Sequence, residues 1–564
     1  MKKIVSILLI LCIFSLTLCA CVSESEKETT PSDTLEATEK PTDAPTDTEH
    51  KFGEWVTIKD ATCTENGIKT RKCTTCDKEE TESIAGGHAW EKATCLSVKK
   101  CKLCGVTEGE LADHTYNNGV CMVCGCAEPN GSGDLNYDGS SVTITFYHQM
   151  GGALQKILNS AIADFNELYP NITVEHSSYG DYNGVRDQIK TEISVGKQPN
   201  LAYCYPDHIA LYNIAGAVQP LDPFIDGAYG FTAAQKADFI PAFYNEGKAF
   251  GDGKMYSLPI SKYTEVLYYN ETFFKEHNLT VPKTWDEMEA VCRQIKEIDP
   301  NCIPLGYDYE ANWFITMCEQ YGSDYTATGD DNFLFDNDTN KNFVKKFRSW
   351  YQDGLVTTKE LLGSYTSALF TGESDSGTRC YMCIGATSGA TYQQPNQTNG
   401  VYEFEVGITS IPQVDPANPK VISQGPSICI FKNADVQEVI ASWLFAKFLA
   451  TDVNFQASVS MNNGYTPVIQ SVKNNSIYAE YLAKAGENAT PTEKTTNIQA
   501  YATRIALEQA DAYYVSPAFN GSSVARDQVG LLLQKCFVIE GNDVDAAIAK
   551  AFKEAIAECE YLAN

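Results

Sequence analysis

From Val142 onward the apolar residues recur with two alternating periods. Val142, Ile144 and Phe146 stand two apart, the spacing of a strand with one buried face. Leu154, Ile157, Leu158, Ala161, Ile162, Phe165 and Leu168 then recur at helical spacing up to Pro170, and Ile172 with Val174 restores the period of two. Strand, helix and strand in that order predict a parallel pair with its crossover helix, the start of an α/β domain. Val266, Leu267, Tyr268 and Tyr269 form a β-branched and aromatic run that predicts a buried strand ending at Asn270. Pro282 and Thr284 open a helix near Trp285, with Thr284 and Glu287 spaced for a capping box. Phe343, Phe347 and Trp350 form one further helical stripe, and Ile548, Ala551, Phe552, Ala555 and Ile556 another. Both are expected to pack in a core.

The first fifty residues follow another pattern. Lys2 and Lys3 precede an apolar run from Ile4 to Leu18, which is shorter than a membrane-spanning helix needs and has the form of a secretory signal. The run closes with Leu18-Cys19-Ala20-Cys21, which resembles a bacterial lipobox. Residues 1–20 are therefore expected to be a lipoprotein signal peptide, and Cys21 the lipid-bearing residue that holds the chain on the outer face of the cytoplasmic membrane. Residues 21–49 are rich in Ser, Glu, Asp, Thr and Pro, the composition of a disordered acidic tether.

Composition narrows the function. A chain of 564 residues suffices for two or three domains. Its 43 Lys and Arg against 73 Asp and Glu give a net charge of −30, which repels phosphate backbones and argues against a nucleic-acid partner. The seven histidines form no HExxH and there is no GxSxG. Carboxylate pairs, as in a secreted glycoside hydrolase, stay open on sequence alone.

Residues 50–126 carry a loose repeat. His50-Lys-Phe52, His88-Ala-Trp90 and His114-Thr-Tyr116 each start a unit, with CxxC pairs at Cys73/Cys76, Cys101/Cys104 and Cys121/Cys124 and lone cysteines at Cys63 and Cys95. Two tetrahedral Cys3His sets follow: Cys63, Cys73, Cys76 and His88, then Cys95, Cys101, Cys104 and His114. The spacing Cys101-x2-Cys104-x16-Cys121-x2-Cys124 also suits a zinc ribbon, so the ligand grouping stays open. Disulfides are the rival, favoured by an exported address. Against them, the module has an odd nine cysteines and nine more are mostly scattered singly downstream. A structural zinc is therefore expected in 50–126, stabilising a module with little core. Residues 127–141, rich in Gly, Asn, Asp and Ser, read as a linker.

The string Leu258-Pro259 through Leu267-Tyr268-Tyr269-Asn270, then Pro282-x-Thr284-Trp285-Asp286-Glu287, resembles extracellular solute-binding proteins of family 1, the receptors of sugar-type ABC importers. Further elements keep that family's order: Gly180-Asp-Tyr182, Gly196-Lys-Gln-Pro199, Gly216 to Asp222, Gln424-Gly-Pro-Ser427 and Asn463-Gly-Tyr-Thr-Pro467. The resemblance implies an α/β, two-lobed periplasmic-binding-protein-like fold of type II, which requires no cofactor for solute binding and closes by a hinge. Lobe 1 is expected at 142–261 plus 427–464, and lobe 2 at 262–426 plus 465–564. Crossings are expected near Ser261 to Thr264, Gln424 to Ser427 and Tyr465 to Pro467.

Polyols and sugars need flat apolar surface for C–H faces and directional partners for hydroxyls. Tyr182, Tyr263, Trp313 and Tyr465 are the candidate platforms or hydroxyl partners, and His148, Gln149, Asp207, Ser388 and Gly425 the polar contacts. Other features, among them Tyr147-His148-x-Met150-x-Gly152 and Arg526 after Asn520-Gly, are similar to the subgroup that carries glycerol-3-phosphate. There an arginine near this place meets the phosphate, and a guanidinium fork suits that dianion. Lys262 and Tyr263 stand where that subgroup has paired serines, and Pro206 where it has an acidic residue. The expected ligand is thus a sugar or oligosaccharide first and glycerol-3-phosphate or its esters second, delivered to ABC permease subunits. The competing classes are an enzyme and a surface adhesion protein that binds through its cysteine repeats.

Overall fold

The computed structural model describes residues 50–563 except 96, 103, 110, 113, 114, 118, 119, 122–134, 330 and 434. The expected signal peptide, Cys21 and the expected tether, with His114 and Cys124, lie outside the described residues. The described chain forms two compact units, one of residues 50–89 with 102 and 104, the other of Trp90–Cys101 and 105–563.

In the first unit Val56–Lys59, Gly67–Lys72 and Glu79–Ile84 form an antiparallel three-stranded sheet. Its apolar content is small, so cross-strand contacts replace a core. Arg71 lies 4.7 Å from the ring centroids of both Phe52 and Trp55 and donates to Glu80 at 2.7 and 2.9 Å.

The second unit is built on two sheets. Its principal strands are β1 (Val142–His148), β2 (Ile172–Ser178), β3 (Leu201–Cys204), β4 (Leu258–Pro259), β5 (Tyr263–Asn270) and β6 (Leu305–Tyr307). They continue with β7 (Val356–Thr358), β8 (Met382–Ala386), β9 (Val406–Thr409), β10 (Val421–Gln424), β11 (Ser427–Ile430) and β12 (Tyr513–Tyr514). The first sheet has the order β2-β1-β3-β11-β4, with β1 parallel to β2 and β3. The second has the order β7-β6-β8-β5-β10-β12, with β9 also paired to β5. Each sheet is thus the centre of one lobe of a two-lobed α/β fold.

The predicted elements form where the periodicity puts them. In β1, Val142, Ile144 and Phe146 are buried and the residues between them are not. The helix Gly152–Leu168 buries Leu154, Leu158, Ala161 and Phe165, while Ile157 and Ile162 are half-buried and Leu168 is exposed at the C-terminal turn. The helix Trp285–Ile298 begins at its capping box, in which Thr284 Oγ1 accepts from Glu287 N and Glu287 Oε2 accepts from Thr284 N, each at 3.1 Å. Phe343, Phe347 and Trp350 are buried in the helix Asp338–Gln352, and Ile548, Ala551, Phe552 and Ala555 in the helix Val544–Ala563. Leu135 is buried, and Gln437 donates to Asn136 O at 3.2 Å, so the end of the expected linker is tied to the helix Val436–Thr451.

Three chain crossings meet at one residue. Lys262 lies between β4 of the first sheet and β5 of the second, and its ammonium is fully buried. It donates to Gly425 O at 2.8 Å and Ser427 Oγ at 3.1 Å, both on the β10–β11 crossing. Its backbone pairs with Thr466 through two hydrogen bonds of 3.2 and 2.5 Å. The Glu246 carboxylate supplies the counter-charge. Burial pulls the Lys262 ammonium below the usual lysine range, against the attraction of Glu246. The hydrogen bonds of Lys262 thus join the three crossings, while Glu246, at the end of the helix Pro241–Glu246, balances its buried charge.

Candidate functional site

Between the lobes lies a cavity of about 570 Å³. It stands at the carboxyl ends of parallel strands, where open α/β sheets place their ligand clefts. Helix N-termini converge there. The first-lobe helices Tyr182–Ile193 and Pro206–Ile214 present Asn183 and Asp207, and the second-lobe helices Glu310–Tyr321 and Ser522–Phe537 present Tyr309 at an N-cap and Ser522, Ser523 and Arg526. Each helix start brings backbone N–H groups without intrahelical partners, which can donate to ligand oxygens, beside the carboxyl side chains of Asp207, Glu246 and Asp527 on the same lining.

Tyrosines form the wall toward the hinge. Tyr205 and Tyr263 line the cavity with hydroxyls 3.4 Å apart. Behind them the Tyr182 ring lies 4.5 Å from that of Tyr205, and the Tyr465 ring 6.1 Å from that of Tyr263. Gln149 donates to Tyr182 OH at 3.0 Å and fixes its direction. Burial raises the Tyr182, Tyr205 and Tyr263 hydroxyls above the ordinary phenol range, so they stay protonated and can donate. Gly425 lines the same wall at φ +128°, and a Cβ there would meet Ser261 O at 2.5 Å. Only glycine fits this close crossing.

Arg526 is held beside this wall by amides. It donates to Asn312 Oδ1, and the Gln424 amide, turned with its oxygen toward the guanidinium, accepts at 3.0 Å. Asn312 in turn donates to Glu265 at 2.7 Å, and Tyr307 OH donates to the other oxygen of that carboxyl at 2.7 Å. Glu265 is fully buried, and burial pushes its carboxyl up to about 7. Among the described residues no carboxylate lies within 4.0 Å of the Arg526 nitrogens. Its charge is therefore held toward the cavity without a contact ion pair.

The structure thus brings Asp207, Tyr263, Gly425 and Arg526 together on the cavity wall, with Tyr182, Gln149 and Tyr465 directly behind it. Three candidates, Trp313, His148 and Ser388, lie elsewhere. Trp313 is fully buried, stacked 4.8 Å from Tyr307 and packed on Phe347, because its helix turns that face into the core. His148 is fully buried and bonded to His176 at 2.9 Å; burial, with the neighbouring imidazole, lowers it to about 4. Ser388 sits in the turn Thr387–Gln393, packed against Gly464 of the third crossing. Sequence reasoning missed Tyr205, Tyr309, Tyr325, Glu246 and Asp527 on the lining. Tyr205 and Tyr309 stand at helix N-caps, Glu246 at the Lys262 crossing, and Tyr325 in the loop after the helix Glu310–Tyr321, placements that follow only from the fold.

The cysteine ligands regroup relative to the expectation. Cys73 and Cys76 gather with His50, whose Nδ1 is 3.3 Å from Cys76 Sγ, and Cys63 and His88 gather with Cys104, whose Sγ is 3.4 Å from His88 Nδ1. The expected set of Cys63, Cys73, Cys76 and His88 is divided because residues 51–53 pair with 72–74 and carry His50 to the CxxC. Cys95 and the buried Cys101 belong to the second unit. The Thr75 side chain and backbone, with His50 and Cys76, lower the Cys73 thiol to about 6.

Two hinged α/β lobes with an oxygen-seeking, tyrosine-walled cleft between them define a solute receptor. The chain belongs to the bacterial extracellular solute-binding protein family, whose profile matches residues 160–486. It is 24% identical over 343 residues to the sn-glycerol-3-phosphate-binding periplasmic protein UgpB of Salmonella typhimurium, covering 58% of this chain and 74% of that one. Solved structures share its fold. The sugar-binding protein MalE of Xanthomonas citri superposes with a TM-score of 0.60 at 17% identity, over 74% of this chain and 98% of MalE. UgpB of Mycobacterium tuberculosis, solved in complex with glycerophosphocholine, gives 0.56 at 16% identity, again over 74% and 98%. Among the described residues no helix is long and apolar enough to cross a membrane.

Proposed function

We propose that the chain is the receptor of an ABC importer, capturing a sugar or oligosaccharide between its lobes by hinge closure and releasing it unchanged to permease subunits. The observation that carries this reading is a cavity of about 570 Å³ lined by protonated tyrosines and by converging helix N-termini, with Tyr205 itself at a helix N-cap. Aromatic faces suit sugar C–H surfaces, and phenol and backbone groups suit hydroxyls. Structural neighbours named for sugar binding support it. A lipid on Cys21 would hold the receptor at the cell surface, with residues 21–49 as tether and a zinc-bearing module at 50–126.

A second reading, glycerol-3-phosphate or a glycerophosphodiester, has its own support in Arg526. The guanidinium faces the cavity with its charge directed by neutral amides, one turn into a helix whose start also lines the cavity. The relatives named for sn-glycerol-3-phosphate binding point the same way.

Thermal unfolding against mono- and oligosaccharides, polyols and glycerol phosphates separates the readings. A ligand at a hundred times its Kd stabilises the folded state by about 2.7 kcal/mol. Stabilisation by an oligosaccharide recovered intact supports the first reading, and stabilisation by glycerol phosphates alone the second. A ligand recovered chemically altered overturns both.

A further inference from the structure

The first unit holds a cluster that the solute-binding reading does not use. Residues 51–53 run beside 72–74: Gly53 N donates to Lys72 O at 2.9 Å, Thr74 N to Lys51 O at 2.8 Å, and Phe52 bridges Cys73. Thr74 Oγ1 adds a 3.0 Å bond to Lys51 O. Cys73 N also donates to Lys78 O at 2.8 Å, which closes the turn that carries both thiols. This pairing sets the His50 ring at the mouth of Cys73-x-x-Cys76. The imidazole Nδ1 and the two sulfurs all lie within 4.8 Å of one another. Around a tetrahedral zinc with Zn–S near 2.3 Å and Zn–N near 2.0–2.1 Å, an N···S separation of roughly 3.6 Å is required. The 3.3 Å between His50 Nδ1 and Cys76 Sγ comes within a few tenths of an ångström of it. The ligands are thus preassembled on paired backbone.

We propose that His50, Cys73 and Cys76 bind one Zn²⁺ through three protein ligands and leave its fourth position exchangeable. This rests on the reading of residues 50–126 as a zinc-bearing module and goes beyond it. A purely structural zinc has four protein ligands, whereas among the described residues no fourth Cys, His, Asp or Glu joins this cluster. His50 and Cys76 are exposed and only Cys73 is buried, so the remaining position opens to solvent. Water fills it by default. An imidazole or thiolate from outside the chain displaces that water, since both are strong ligands for this borderline-soft ion.

The test uses the full chain, purified under reducing conditions and loaded with Co²⁺ as the spectroscopic probe for Zn²⁺. The wild type is expected to show thiolate-to-cobalt charge transfer, and the Cys73→Ser/Cys76→Ser variant to bind one metal equivalent fewer. His50→Ala is expected to weaken that equivalent tenfold or more. Added imidazole should shift the ligand-field bands of the wild type but not of the Cys73→Ser/Cys76→Ser variant. The Cys63→Ser/Cys104→Ser variant, altered in the other cluster, should keep the imidazole response, and it serves as the control for folding of the module. If no metal binds at all, the zinc reading itself falls and the inference with it. If metal binds but neither His50→Ala nor imidazole changes the spectrum, the module holds zinc and the three-ligand site is refuted.

Discussion

The buried carboxyl of Glu265 makes a prediction whose sign is set by the fold. It is fully buried and, among the described residues, its carboxyl accepts from the neutral donors Asn312 and Tyr307; burial raises it from the usual 4.5 to about 7. The folded protein therefore binds this proton more tightly than the unfolded chain. Linkage makes the stabilisation from this group complete below pH 4.5 and lost as pH rises to about 7. A tenfold difference in proton affinity is worth about 1.4 kcal/mol, so the whole window amounts to about 3 kcal/mol. The sequence pI near 4.6 favours association in acid, which makes pH 5.5 to 8.5 the practical range. Over that range wild type should lose about 2 kcal/mol relative to Glu265→Gln, whose amide keeps the shape and cannot ionise. Unfolding entropy grows by about 2.1 cal/mol/K per residue, so for a domain of roughly 420 residues each kcal/mol moves Tm by about 1 °C. Calorimetry of both proteins at matched ionic strength should therefore show their Tm difference drifting by about 2 °C in favour of the variant as pH rises. A difference that stays flat, or drifts the other way, refutes the assignment of a neutral buried carboxyl behind Arg526.

Three other outcomes follow from the same structure. Lys262→Met leaves Glu246 buried without its partner and should destabilise the second unit by about 3–5 kcal/mol, whereas Lys262→Met with Glu246→Leu should recover most of the loss; equal losses in both proteins would deny the ion pair its role. Arg526→Ala should abolish thermal stabilisation by glycerol-3-phosphate while changing that by a neutral sugar less than tenfold in Kd, measured by titration calorimetry. Thr284→Ala should lower stability by about 1 kcal/mol, read from chemical denaturation, because it removes one half of a reciprocal cap at an exposed helix start.

The amino-acid sequence by itself determined which segments become strands and helices and which faces they bury. Val142, Ile144 and Phe146 at period two, and Leu154, Leu158, Ala161 and Phe165 at helical spacing, reappear as one buried face each, because burial follows side-chain direction along a regular backbone. The same holds for Thr284 with Glu287, a device closed within four residues. The order of family motifs was legible too, and with it the two-lobed fold and four members of the cavity wall. Tertiary structure alone decided the rest. Trp313 and Tyr205 are both aromatics close to other tyrosines, yet one faces the core from within its helix and the other the cleft from a helix N-cap, a choice set by how those helices pack. The three crossings were legible as motifs, but not that the Lys262 side chain joins Gly425 and Glu246 while its backbone pairs with Thr466, since these come to it from distant parts of the chain. His50 likewise reaches Cys73 and Cys76 only through pairing of 51–53 with 72–74. Periodicity is a local property that a linear sequence carries directly; the meeting of residues tens to hundreds of positions apart depends on which faces pack together, and that is settled only when the chain has folded.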